Sequence, residues 1–244
     1  MTRLPARSFA IFFAVALVTS QPGCAYEIPL ESHSVRDGYF FGQRGDEKLF
    51  RFLDTYTKHL PIPQKGPYIS EIKLFTPYAQ VVDISRQKTA GYSAQQAAQE
   101  YKDRGDTFRV YVRIEFTATY GFIQAVESAN HAAREQKLEL QPQEFWRDFQ
   151  YILSQDAKPA ESHDSTPDST THREEQEGDR RIMDARSADY TPIYSNNDYN
   201  GGLAGAVVWL DYDAKDINSD PASVEVVTPG GQHVVATFDL AKLR

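Results

Sequence analysis

Alternation and helical periodicity divide the chain into recognisable segments. Thr107 to Thr119 alternates most regularly. Phe108, Val110, Val112, Ile114 and Phe116 fall on one side, and Arg109, Tyr111, Arg113 and Glu115 on the other. Successive strand side chains point to opposite faces, so this segment predicts a long strand. Tyr68 to Phe75 alternates through Ile72 and Leu74 and predicts another. Leu203 to Leu210 is an apolar run bounded by Gly201-Gly202, as a buried strand requires. Ser223–Thr228, the turn Pro229-Gly230-Gly231 and the return Gln232–Leu240 predict a β-hairpin.

Helical signals sit between these runs. Asp46 is a capping residue before Leu49, Leu53, Tyr56 and Leu60, which share one helical face; Pro61 and Pro63 end that pattern. Thr76-Pro77 predicts an N-cap with proline at the first helical position, opening a helix that carries Tyr78, Val81, Val82 and Ile84. Ser93 and Gln96 have capping-box spacing, and Gly105 suits a C-terminal stop, so 93–104 predicts a helix. Phe122, Val126, Ala129 and Ala133 permit one more. Pro142–Asp148 reads as a helical turn, leading either into a strand carrying Phe149, Tyr151 and Leu153 or into one helix reaching Leu153. Glu27-Ile28-Pro29-Leu30 reads as the start of an extended segment.

The two ends of the pattern differ from its middle. Arg3 and Arg7 precede the apolar run Phe9–Val18, and Thr19–Ala25 then turns small and polar. Charge followed by a short apolar core is the layout of a secretory signal, so residues 1–25 are read as a signal peptide. The run is shorter than the about 20 residues a membrane span needs. Two processing routes fit. Gly23-Cys24-Ala25 has small residues where ordinary signal peptidase prefers them, with cleavage after Ala25. Gly23-Cys24 also resembles the end of a bacterial lipobox, in which Cys24 would carry lipid; Gln21 stands where that motif usually has leucine.

From Ser154 to Asp189 the chain has no aromatic residue, and Ala157–Thr171 is rich in Ser, Thr, Pro and acids. Such composition buries too little apolar surface to offset ordering entropy, so 156–187 reads as a disordered acidic loop. The strands of 188–244 are too few for a comfortable independent domain. They are expected to complete a domain begun by residues 26–155. The expected fold is mainly β with helical decoration, a single β-sandwich-like domain; an α+β layer is the alternative.

Composition narrows the chemistry. Cys24 is the only cysteine, so no intrachain disulfide forms, and a chain cut after Ala25 keeps no thiol. Net charge is -8, and becomes -10 once the two arginines of the signal leave. An acidic exported chain is a poor partner for nucleic acid or anionic membranes.

Asp211, Asp213, Asp216, Asn218 and Asp220 cluster within ten residues. Calcium takes several carboxylate and carbonyl oxygens from one loop, so these five are the candidate metal ligands. The pattern is not an EF-hand, because Lys215 occupies the third ligand position and the glycine is missing. A polar connection between strands explains the same residues. Asn196–Gly202 is a polar turn that also suits a ligand loop.

Arg44-Gly45-Asp46 and Arg104-Gly105-Asp106 spell a tripeptide known from adhesion, but capping explains both. His33, His59, His131, His163, His172 and His233 show no metal spacing, and no Gly-x-Ser-x-Gly, Walker A or Gly-x-Gly-x-x-Gly occurs. No residue is therefore assigned a catalytic or cofactor-binding role.

The segments Gly66–Ser70, Thr76–Gln80, Gly91–Gln96, Val226–Gln232 and Phe238–Leu240 together resemble exported bacterial proteins of unknown function. That resemblance implies no activity. The expected function is a non-enzymatic envelope or periplasmic protein that binds a protein or glycan partner or is structural. A secreted hydrolase acting on glycans or peptides, and a calcium-stabilised extracellular module, are the alternatives.

Overall fold

A computed structural model describes residues 26–64, 66–88, 91–120, 144–156, 180–195 and 203–244. The signal expected at 1–25, the helix expected over 122–133, the turn expected at Asn196–Gly202 and residues 157–179 of the expected acidic loop lie outside the described residues.

The fold is β-rich, with two antiparallel sheets and a few helices. The five-stranded sheet runs in the order β1 (Thr57–His59), β2 (Pro67–Phe75), β3 (Thr107–Phe116), β7 (Leu203–Asp213) and β6 (Ser187–Tyr194). The four-stranded sheet runs β5 (Arg180–Met183), β4 (Gln150–Asp156), β8 (Ala222–Val227) and β9 (His233–Phe238). Strands β3 and β7 pair although about ninety residues separate them: Val110 faces Leu210 and Val112 faces Val208. The C-terminal strands thus complete the sheet begun upstream.

The alternation in β3 decides which face is inside. Phe108, Val110, Val112 and Ile114 are fully buried, beside Ile72 and Leu74 of β2 and Ala206, Val208 and Tyr212 of β7. Leu153, Val224, Val226 and Phe238 of the other sheet belong to the same hydrophobic cluster. Tyr26 enters it too, with its ring edge-on to Phe108 at 4.9 Å and its hydroxyl donating to the Ile217 carbonyl at 2.7 Å. At one rim, Lys58 of β1 lies over the Phe238 ring at 5.8 Å.

Four helices, α1 (Ser32–Gly42), α2 (Glu47–Asp54), α3 (Pro77–Gln87) and α4 (Ala94–Arg104), form a second cluster through Val35, Leu49, Tyr78, Val81 and Val82. Their starts match the expected chemistry. Asp46 accepts from Leu49 N–H at 3.1 Å, Thr76 from Ala79 N–H at 3.2 Å, and Ser93 and Gln96 form a full capping box. Gly105 closes α4 at φ +77°.

Three local expectations change and one open alternative is decided. The helix read from Asp46 toward Leu60 stops at Asp54; Thr57–His59 leaves it to pair with β2, a tertiary partner that periodicity does not see. The segment after Pro29 becomes helix α1, which sequence reading missed. Of the two readings of 142–153, the strand prevails: a 3-10 turn at Phe145–Asp148 leads into β4. The end of the segment read as a loop, Arg180–Met183, pairs with β4 as strand β5.

Candidate binding cleft

Three parts of the chain meet at one end of the helical cluster: α1, the α2–β1 junction and the last residues. Between them lies a cleft of about 800 Å3. Small-molecule and anchor-residue clefts span about 300–1,000 Å3. Its wall is aromatic. Phe41 and Phe52 meet edge-on at 5.1 Å, Phe52 and Tyr78 edge-on at 5.9 Å, and Phe52 and Tyr56 at 5.0 Å. Phe40 stands at the mouth with 54% of its surface exposed.

The rim is cationic. Arg244 lies over the Tyr78 ring at 4.1 Å and pairs with Asp37 at 3.2 Å. Arg44 reaches 2.8 Å from Asp46 while lying 5.9 Å from the Phe41 ring centre. Lys242 completes the lining and pairs with Asp239 at 2.7 Å. Against these three cations the cleft wall supplies one carboxylate, Asp37, in a chain of net charge -8.

The cleft is braced from behind. The Tyr56 hydroxyl donates to the Arg244 carbonyl oxygen at 2.7 Å, and the Thr76 hydroxyl donates to the same oxygen. The Tyr78 hydroxyl donates to Asp37 at 3.0 Å. Burial pushes the Tyr56 and Tyr78 hydroxyls up to about 12. Near neutral pH both are protonated donors that position Arg244 and Asp37, so neither phenol serves as a base.

The residues singled out as calcium ligands are divided among three places: Asp211 on the sheet, Asp213 and Asp216 in one small cleft, and Asn218 and Asp220 in another. Asp211 points to the outer face of the five-stranded sheet, where Arg109 grips it with two bonds of 2.6 and 2.7 Å. Asp213 lies 3.6 Å from Arg186 and 3.5 Å from Lys215, and Asp216 lies 3.7 Å from Arg181. Asn218 accepts from the Asp220 backbone at 2.9 Å, and its own backbone binds the Gln155 side chain, which also donates to the Asp220 carbonyl at 2.8 Å. Among the described residues no group of three or more His, Cys, Asp or Glu side chains is placed to hold a metal ion. Cys24 lies outside the described residues.

The adhesion-like tripeptides serve the fold through most of their side chains, although Arg44 also lines the cleft. Asp46 caps α2, Asp106 accepts from the Tyr101 hydroxyl, and Arg104 donates to Gln80 at 3.2 Å. Of the described histidines, His33, His59 and His233 are solvent-exposed and each lies beside a carboxylate.

The cleft was not read from sequence, because its walls come from residues 37 to 78 and 242 to 244. Of its lining residues, the sequence pattern marks Tyr56 and Tyr78 on helical faces and Arg44 within a tripeptide. No protein-family description matches this chain, and no curated protein is significantly similar to it. Among the described residues no helix is long and apolar enough to cross a membrane.

Proposed function

We propose that this is a non-enzymatic binding protein of the cell envelope, exported by residues 1–25, which recognises a protein partner through the aromatic cleft of α1 and α2. One observation carries the reading: three phenylalanine rings backed by the buried Tyr56 and Tyr78, with three cations, surround a cleft open to solvent. Aromatic residues and arginine are the types enriched at recognition surfaces, and they dominate binding where they line a desolvated pocket. Arg44 and Lys242 are paired with Asp46 and Asp239 at solvent-exposed positions, where ion pairs are weak and exchange readily, so the chemistry that complements such a cleft is an apolar side chain with an acidic group beside it. The groups in the cleft favour holding over reacting. Asp37 already accepts from Arg244 and Tyr78, and the buried phenols keep their protons.

The test is a photo-reactive residue at position 40 in the source cell, compared with one at position 235 on the opposite sheet. Val235 is comparably exposed, at 49%. A discrete protein adduct at 40 and none at 235 supports the reading; no adduct, or the same adducts at both positions, refutes it. Export has its own test in the intact mass of the mature chain. A chain starting at Tyr26, or at a lipid-bearing Cys24, agrees with it, and a chain retaining Met1–Ala25 does not.

A further inference from the structure

The outer face of the five-stranded sheet carries a second, separate cleft, between α3 and β6. Its volume is about 340 Å3, and Tyr111, Val207 and Trp209 form its floor. Tyr111 and Trp209 meet edge-on at 4.5 Å. Arg109 lies over one part of the indole at 5.6 Å, and the rest of Trp209 contributes surface to the cleft.

The wall is a fixed polar group on α3. Asp83 is buried and accepts from Arg86 at 2.9 Å and from Gln87 at 2.6 Å. Opposite it, Lys73 lies 4.9 Å from the Tyr111 ring centre and pairs with Glu71. Each charged side chain of the lining is thus already ion-paired: Lys73 with Glu71, and Arg86 with Asp83. An ionic ligand would have to compete with those pairs. A neutral ligand would not, because these groups keep spare N–H donors and acceptor lone pairs, and Gln87 keeps its carbonyl. Aromatic rings carry a negative face that attracts weakly positive C–H groups.

We infer that this cleft is a subsite for one or two rings of a neutral sugar, whose C–H face packs on Trp209 and Tyr111 while its hydroxyls bond to Asp83, Gln87 and Lys73. The volume sits at the small end of the about 300–1,000 Å3 range of ligand clefts, which suits that size. The site shares no lining residue with the aromatic cleft, so it stands or falls separately.

The chain has two tryptophans, and Trp146 is buried, so ligand-dependent indole fluorescence reports Trp209. The protein is titrated with glucose, cellobiose, N,N′-diacetylchitobiose and, as the charged comparison, glucuronate. The expected result is a saturable change with at least one neutral sugar, weakened about tenfold or more in Asp83→Asn and in Gln87→Ala but not in Phe40→Ala. Gln87 is exposed, so its variant tests the site even where Asp83→Asn fails to fold. The inference is overturned by no saturable response to any neutral sugar, by a response to glucuronate alone, or by binding that Gln87→Ala leaves unchanged.

Discussion

The two faces of the five-stranded sheet are made by the same strands and do different work. The inner face presents Phe108, Val110, Val112 and Ile114, all fully buried against the second sheet. The outer face presents Arg109, Tyr111, Arg113 and Glu115, partly covered by α3 and stitched by ion pairs and cation–ring contacts. Apolar burial stabilises in proportion to area and has no direction, whereas a paired charge helps only in the presence of its partner. The inner face therefore holds the fold together, and the outer face and the helix-side cleft are where specific recognition can be built.

The largest effect should come from the inner face. Phe108→Ala removes a fully buried ring at the centre of the cluster and is expected to lower unfolding stability by about 3–5 kcal/mol in denaturant titration. A loss below 1 kcal/mol would erase the contrast between the faces.

Alkaline pH probes the same interior. Tyr56 is fully buried, and burial raises its hydroxyl from 10.0 to about 12. A raised value means that the folded state keeps a proton which the unfolded chain loses. Stability from this group is complete below pH 10 and disappears as pH rises from 10 to 12, by about 2–3 kcal/mol in all. Chemical denaturation across that window should show the fall in the natural chain and a shallower one in Tyr56→Phe.

On the outer face, Arg109→Ala leaves Asp211 half-buried with its bidentate partner gone, at a cost of about 1–2 kcal/mol. Replacing both residues together, Arg109→Met with Asp211→Leu, should recover most of the loss. A double variant as unstable as the single one would show that the pair is not the relevant unit. The smallest effect is expected from calcium. Asp211, Asp213 and Asp216 each face a cation, so the melting midpoint should be the same in calcium and in chelator.

These outcomes also explain what could be read from sequence. Strand β3, the hairpin β8–β9 and the capped starts of α2, α3 and α4 were legible because local pattern and tertiary role agree there. Helix α1 was hidden by its own packing. Gly38 and Gly42 weaken its helical signal, yet a Cβ at Gly42 would meet the Val82 carbonyl oxygen at 2.4 Å, so α3 approaches where only glycine fits. Strand β1 was hidden because it lies between Tyr56 and Leu60, which continue a helical apolar period, and pairing with β2 overrides it. The Asp211–Asp220 cluster is visible in sequence, but apart from Lys215 the cations that face it, Arg109, Arg181 and Arg186, lie outside it in the chain. The aromatic cleft was illegible for the same reason, since Arg244 meets Asp37 and Tyr78 only after folding.

The central claim is that the cleft of α1 and α2 recognises a partner and that its cations take part. The most direct measurement is the yield of the position-40 cross-link in a chain carrying Arg44→Glu and Lys242→Glu, with folding verified by an unchanged melting midpoint. Lys242 is largely solvent-exposed and Arg44 about half so, and the midpoint shows whether the fold tolerates the change beside the Asp46 cap. The account predicts that the adduct falls to background. An undiminished adduct in the folded double variant would contradict it.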